Sequence, residues 1–401
     1  MGGKRILFIS GSIGLGHVVR DCAIADRLRV IDPGISITWL AGQPAAGFLS
    51  DRGEDIYTGE LGFSDMSSAA EAVAGSGRMN LLKYILKVRP VWQKNVEAFR
   101  KVINKDDFDC MVADEAYEIE AFLHKHPQLK RFPLVVIHDF IGIEAASSNP
   151  LERIGVWVVN KKWLEPRADL SLFVGRPEDI PDKHLGPFLP NLRTFAKERY
   201  SFLGPVLPFD PRQLPGKQEL RGELRKEIDL GKGPLIVCSA GGTSVGLPLL
   251  EVCGKAFPLI RQEISDARML IVTGPRIDPR RLSGVKEGAE KNGLFVRSFV
   301  PKLYRYFAAA DLCIVQAGGM STAEVTAVDT PFFYFPLEGH SEQENRIGAA
   351  LEQNPRAERF RLKDISPVIL ADTVLRRMEN IPVRSKKGDR KSTRLNSSHY
   401  S

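Results

Sequence analysis

The string QAGGMSTAEV, residues 316–325, follows a short apolar run and opens a helical pattern. Its paired glycines let backbone approach a ligand closely, and the free N–H groups and dipole of a helix start favour phosphate. Ser321 and Thr322 are placed either to cap the helix or to donate to phosphate oxygens. Glu324, one turn in, can accept both hydroxyls of a ribose, or merely complement the positive helix end. Upstream, PLIVCSA runs into Gly241-Gly242-Thr243-Ser244, a second anion nest of the same kind. Downstream, PFFYFPLEGHSEQENR leaves an apolar run with Glu342, Gln343 and Asn345 available to sugar hydroxyls. Three polar loops at one sheet edge point to a nucleotide-sugar ligand.

The second constellation is GSIGLGHVVR, residues 11–20. It differs from the G-x-G-x-x-G dinucleotide fingerprint, and SITWLAG ends without an acid to hold an NAD ribose, which disfavours an NAD enzyme. His17 falls at a helix start. The dipole there predicts a neutral imidazole near pH 7, able to accept a proton; a plain helix-cap histidine is the alternative. Asp114-Glu115 and His138-Asp139 end two further apolar runs. One carboxylate is expected to orient His17, Asp114 ahead of Asp139, although both also read as helix caps. Asp107-Phe108-Asp109 precedes its strand and so lies at the wrong edge. His124 and His126 point to different faces of a helix. No metal and no resident cofactor are expected.

These loops need sheets to hold them. Apolar runs at 4–10, 36–41, 109–114, 133–139 and 170–174 form one set, and runs at 234–240, 268–274, 293–299, 311–317 and 331–336 a second. Continuous apolar runs alternating with helices predict parallel sheets. Four prolines in GPVLPFDPRQLPG exclude helix and central strand. The expected architecture is α/β, with two Rossmann-like parallel-sheet domains facing across a cleft: residues 1–204, a linker at 205–216, and residues 217–380. Loops 43–80 and 140–165 are the expected acceptor contacts. The basic stretch over 79–104 predicts an amphipathic helix, or a pair broken at Pro90, packing on the first sheet or touching an anionic membrane. A helix over 364–379 is a candidate to pack back across the cleft.

At 401 residues, 43% hydrophobic and 26% charged, the chain fits two soluble domains. Its net charge of +7 is concentrated in residues 384–401, where six Lys/Arg stand against one Asp. The remainder is nearly balanced, so no nucleic-acid partner is expected. DRKSTRLNSSH, residues 389–399, resembles a translated sequencing adapter, and residues 384–401 are set aside as a disordered or artefactual tail. Five unpaired-looking cysteines and no apolar run of membrane length predict a cytoplasmic protein, with peripheral contact at the membrane's inner face as an option.

The pattern GG-x-ST-x-x-E, a TP turn, an apolar strand and H-x-E-Q-x-x-x-R resembles the donor half of GT-B glycosyltransferases. The likeness is to family 28, which includes the bacterial cell-wall N-acetylglucosaminyltransferase, and to UDP-glycosyltransferases. The resemblance covers roughly residues 4–380. It implies that Phe299-Val300-Pro301-Lys302 contacts the base, with Leu303 nearby. It implies that Gly242, Thr243, Gly318, Gly319, Met320 and Ser321 hold the diphosphate, Glu324 the ribose, and Glu342 and Gln343 the donor sugar. The loop with Gly14 and Gly16, together with Asp139, would line the acceptor side, and His17 would be the base. S-E-Q-E-N after His340 departs from the cell-wall enzyme's pattern. Gln316 occupies the position of a glutamate in retaining members, which favours inversion. The expected function is therefore metal-independent, inverting transfer of a hexose from a nucleotide diphosphate sugar to an unknown glycan, lipid or small-molecule acceptor. A UDP-N-acetylglucosamine 2-epimerase-like isomerase and a non-catalytic nucleotide-sugar-binding protein are the alternatives.

Overall fold

A computed structural model describes residues 3–10, 15–57, 63–64, 81–145, 149–282, 289–338, 340 and 342–379, without the side chains of 81–86, 342 and 345. All ten apolar runs form strands. In the first sheet these are β1 (Arg5–Ser10), β2 (Ser36–Ala41), β4 (Cys110–Asp114), β5 (Leu134–His138) and β6 (Leu170–Val174). In the second they are β8 (Leu235–Ser239), β9 (Arg268–Val272), β10 (Leu294–Arg297), β11 (Leu312–Gln316) and β12 (Phe332–Phe335). Three edge strands join them: β3 (Asp55–Ile56), β7 (Ser201–Gly204) and β13 (Ala357–Arg359). The orders are β3-β2-β1-β4-β5-β6-β7 and β10-β9-β8-β11-β12-β13. Every strand pairing within both sheets is parallel.

Both orders reverse at the first strand of the set. In the first sheet β1 lies between β2 and β4; in the second β8 lies between β9 and β11. Loops leaving the C-terminal ends at such a reversal splay apart and open a crevice. The two glycine strings therefore reach equivalent places in two sheets.

Each sheet is buried on both faces. Leu7, Ile9, Met111 and Ala113 pack under α3 (Leu81–Lys105) and α4 (Tyr117–Lys125). Ile6, Phe8, Trp39 and Val112 pack under α1 (Leu15–Ile31) and α2 (Ala45–Asp51). Trp39 stacks on Phe8 with centroids 4.5 Å apart. The remaining helices are α5 (Pro150–Trp163), α6 (Leu192–Arg199), α7 (Lys217–Leu224), α8 (Leu247–Glu263), α9 (Leu303–Ala309), α10 (Gly319–Ala327), α11 (Gly348–Leu351) and α12 (Pro367–Glu379). Asp311 anchors α7 by pairing Lys217 and Arg221, and it accepts the Leu235 N–H at 2.8 Å.

Of the two forms expected for the basic stretch, the single helix is the one found: α3 runs unbroken through Pro90. The proline forfeits one ladder hydrogen bond and strains the turn, but Val88, Asn95, Ala98, Phe99, Val102 and Ile103 are buried along the helix and hold it to the sheet. α12 stays on its own domain: Leu370, Ala371 and Val374 join the α8 core with Phe257 and Ile260. Residues 205–216 hold only a short 3-10 turn, Pro211–Gln213.

Candidate functional site

The first crevice gathers charge. β4 ends at Asp114, and Asp139 follows β5. His17 and Arg20, one turn apart on α1, face them. The Nδ1–H of His17 donates to Asp114 Oδ2 at 2.7 Å. That tautomer follows from the carboxylate partner and leaves Nε2 toward the open side. Arg20 Nη2 donates to Asp114 Oδ1 at 2.6 Å, and Arg20 Nη1 donates to Asp139 Oδ1. Asp139 Oδ2 stands 3.8 Å from His17 Nε2. Behind them the Ser10 hydroxyl donates to Asp21. Glu115 accepts the Tyr117 hydroxyl at 3.1 Å and the Asp139 N–H at 3.3 Å.

The structure corrects the expected charge of His17. Burial opposes protonation, but the Asp114 carboxylate outweighs it, with help from Asp139, and lifts the imidazole to about 10. A helix dipole contributes about half a charge at its end; a full carboxylate in hydrogen-bond contact is stronger. For Asp114, burial is outweighed by Arg20 and His17, which bring it to about 2. The resting pair is thus imidazolium and carboxylate. His138 is buried, lies edge-on to Tyr200 at 5.2 Å, and is pushed down to about 4 by desolvation. It belongs to the core. Gly14 lies outside the described residues.

At the second crevice the helix start itself, Gly319 to Thr322, carries no ionisable side chain. α10 begins after Gly318, and no side chain caps it. The first-turn N–H groups of Gly319, Met320 and Ser321 therefore emerge at the helix end without intrahelical partners. Thr322 is not available to a ligand: its hydroxyl donates to Gly318 O at 2.9 Å and Gly319 O at 3.1 Å. After β8 the chain turns at Gly241, φ 77°, and Gly274 packs so closely that a Cβ there would lie 2.1 Å from Gly241 O. Gly242 and Thr243 stay partly exposed on this turn.

Glu324 is only 7% exposed, and its carboxyl makes no hydrogen bond or ion pair among the described residues. Desolvation raises it to about 8. Gln343 does not offer its whole amide to a sugar, because Oε1 accepts the Leu337 N–H at 2.9 Å. That bond shapes the loop before the π-turn Glu342–Ile347. The side chains of Glu342 and Asn345 lie outside the described residues. The Val300 side chain is buried in the core with Phe295 and Phe307, so a base would meet this residue through its backbone. Phe299 beside it is half exposed.

The two crevices meet. A Cβ on Gly16 would sit 3.4 Å from Met320 Cβ, so the N-termini of α1 and α10 abut. Arg346 Nη1 reaches Val174 O of the first sheet at 3.4 Å. Sequence reasoning missed Arg20. The signal was its i+3 spacing from His17, which puts both on one helix face.

The family model for the glycosyltransferase family 28 C-terminal domain matches residues 236–399, running beyond the described residues. The chain is 34% identical over 385 residues to the UDP-N-acetylglucosamine--N-acetylmuramyl-(pentapeptide) pyrophosphoryl-undecaprenol N-acetylglucosamine transferase of Mycobacterium sp. (strain KMS), covering 94% of this chain and 87% of that one. The chain belongs to glycosyltransferase family 28. This family 28 glycosyltransferase is also 26% identical to an uncharacterized glycosyltransferase of Methanosarcina acetivorans, covering 87% of this chain and 84% of the relative. Its fold is that of GT-B enzymes. The crystal structure of TcCGT1 in complex with UDP superposes with a TM-score of 0.59 at 13% identity, covering 94% of this chain and 93% of that one, and that of Arabidopsis thaliana UGT89C1 complexed with UDP superposes with a TM-score of 0.57 at 13% identity, covering 94% and 91%.

Proposed function

We propose that this glycosyltransferase moves a hexose with inversion from a UDP-sugar to an acceptor hydroxyl, without a metal ion. The observation that carries this reading is the meeting of an uncapped glycine nest with a histidine–carboxylate pair, Met320 against Gly16. The N–H groups of Gly319, Met320 and Ser321, with Gly242 and Thr243, would hold the diphosphate. Glu324, buried and without a partner, would take the ribose hydroxyls. The Gln343 amide nitrogen and Glu342 would face the sugar.

In the transfer, the neutral form of His17, which becomes available as pH rises toward about 10, takes the proton of the acceptor hydroxyl at Nε2. The oxygen forms its bond to the anomeric carbon while the carbon–phosphate oxygen bond breaks, and the electron pair leaves with the nucleoside diphosphate. Donors aimed at the leaving oxygens stabilise that developing charge. Asp114 holds the ring and offsets the positive charge that His17 acquires. Gln316 at the end of β11 supports a single displacement, because an amide cannot serve as a carboxylate nucleophile there.

The resting charge of His17 favours a second reading, in which the imidazolium acts as a cation facing the diphosphate. The pH–rate profile separates the two. A base gives activity that rises with pH as His17 loses its proton, and a cation gives activity that falls.

The described part of α3 turns its apolar side into the core, so the proposed contact with a membrane's inner, cytoplasmic face moves to α5. There Leu151 is 78% exposed, with Ile154 and Val158 beside it on the outer face. Lys161 and Lys162 follow one turn on, and the fully exposed Phe188 lies nearby, its turn fixed by the Trp157 indole donating to Pro187 O at 2.9 Å. Apolar and basic side chains together suit an anionic bilayer. Among the described residues no helix is long and apolar enough to cross one.

Thermal-shift titration with UDP, GDP and dTDP tests the donor site. Stabilisation by one of them that Glu324→Gln weakens is the expected result, and no response to any would remove the reading.

A further inference from the structure

His17, Asp114, Arg20 and Asp139 form a ring that is closed at every link but one. Nδ1 is bonded to Asp114, Asp114 to Arg20, and Arg20 to Asp139. The open link is the 3.8 Å between Asp139 Oδ2 and His17 Nε2, too long for a hydrogen bond. Nε2 is the nitrogen that the proposed transfer needs. Two carboxylates thus compete for one imidazole, and only one is in contact with it.

We propose that Arg20 is a positioning residue that decides this competition. By bridging both carboxylates it presses Asp114 onto Nδ1 and draws Asp139 away from Nε2, keeping that nitrogen open to an acceptor hydroxyl. The inference builds on the reading of His17 as the base. The guanidinium is buried and planar, with two parallel donors on one edge, so it can hold two carboxylates in fixed directions. Its Nη2 also stands 3.1 Å from Nδ1, where its charge opposes protonation of the ring.

The charged groups around His17 are few. Arg20 and Asp21 lie on α1, Asp114 and Glu115 at the end of β4, and Asp139 after β5. The facing end of α10, Gly319 to Thr322, has no ionisable side chain. Removing Arg20 leaves the two carboxylates unopposed. Asp139 then closes on Nε2, and the imidazolium is held more tightly.

Nitrogen-15 NMR of the full chain, labelled at its seven histidines and assigned with His17→Gln, reads this without any substrate. In Arg20→Met the His17 titration should move up by about one unit or more, and its Nε2–H should become protected from exchange. Arg20→Lys keeps the charge but not the paired donors, and should fall between. Adding Asp139→Asn to Arg20→Met should reverse both changes. If Arg20→Met alone does not fold, the balanced double variant and Arg20→Lys still carry the comparison. An unchanged His17 titration and unprotected Nε2–H in folded Arg20 variants would overturn the proposal. So would failure of Asp139→Asn to reverse the change. The donor reading fails separately: absence of any UDP response in the wild type leaves the His17 titration untouched.

Discussion

The start of α1 and the start of α10 occupy equivalent places in two similar sheets, yet they are furnished in opposite ways. At α1 the crevice is filled by the protein's own charges, each paired: imidazole with Asp114, guanidinium with Asp114 and Asp139. At α10 the helix end has no side-chain cap, and the buried Glu324 one turn in has no partner among the described residues. A self-satisfied cluster is suited to handling a proton. A bare helix end is suited to binding a foreign anion. On the proposed reading, one fold position would serve two purposes according to whether the chain supplies the counter-charge.

The comparison breaks most visibly if its charged half is disabled. His17→Ala should lower kcat by about 10²–10⁴ with little change in UDP affinity, measured by UDP release and calorimetry. Asp114→Asn should lower kcat as well. Because the carboxylate that raises His17 is gone, it should also shift the rising limb of the pH–rate profile downward from its place near pH 10. Equal loss of UDP affinity in these variants would mean that the two crevices are not separate in function.

Glu324→Gln should weaken UDP binding about 10-fold, the scale of one charge-assisted hydrogen bond. Since burial holds this carboxyl at about 8, wild-type affinity should increase as pH rises toward that value, and the variant should lose the dependence. A pH-independent wild type would contradict the ribose assignment.

Stability sharpens the contrast further. Glu324 is raised from 4.5, so its contribution is present below about pH 4.5 and lost as pH rises through about 8. His17 is raised from 6.5, so its contribution is present below about pH 6.5 and lost through about 10. Asp114 is lowered from 3.8, so its contribution is present above that pH and lost as pH falls toward about 2. Denaturant midpoints across pH should show Glu324→Gln flattening the first window and leaving the last intact. The smallest effect is expected at α5: Leu151→Gln with Ile154→Gln should reduce co-sedimentation with anionic vesicles about 5-fold, the two side chains, only partly inserted, contributing about 1 kcal/mol together. Undiminished sedimentation would place any membrane contact elsewhere.

The central strands were readable because burial on both faces leaves unbroken apolar runs, as in LIVCS and LCIVQ. β3, β7 and β13 were not. They are two to four residues long, sit at or next to sheet edges and are largely open to solvent, so no apolar run marks them. Asp114 and Asp139 could be placed at one edge because each ends a run. That Asp114 takes Nδ1 while Asp139 stands off depends on Arg20, and an arginine in a helix reads as a solvated side chain. The His17 charge departs from the sequence expectation for the same reason: the dipole is visible in the sequence, the contact distance is not. The burial of the Val300 side chain in the core is likewise a matter of packing that its place in a loop does not show.

The most direct test of the account is calorimetric titration of the full chain with UDP, repeated in His17→Ala and Glu324→Gln. The account predicts binding, worth about 2.7 kcal/mol of added stability at a hundredfold excess over Kd, that survives His17→Ala and weakens in Glu324→Gln. Absence of binding, or binding lost with His17 and kept without the Glu324 carboxylate, would contradict the division between the two crevices.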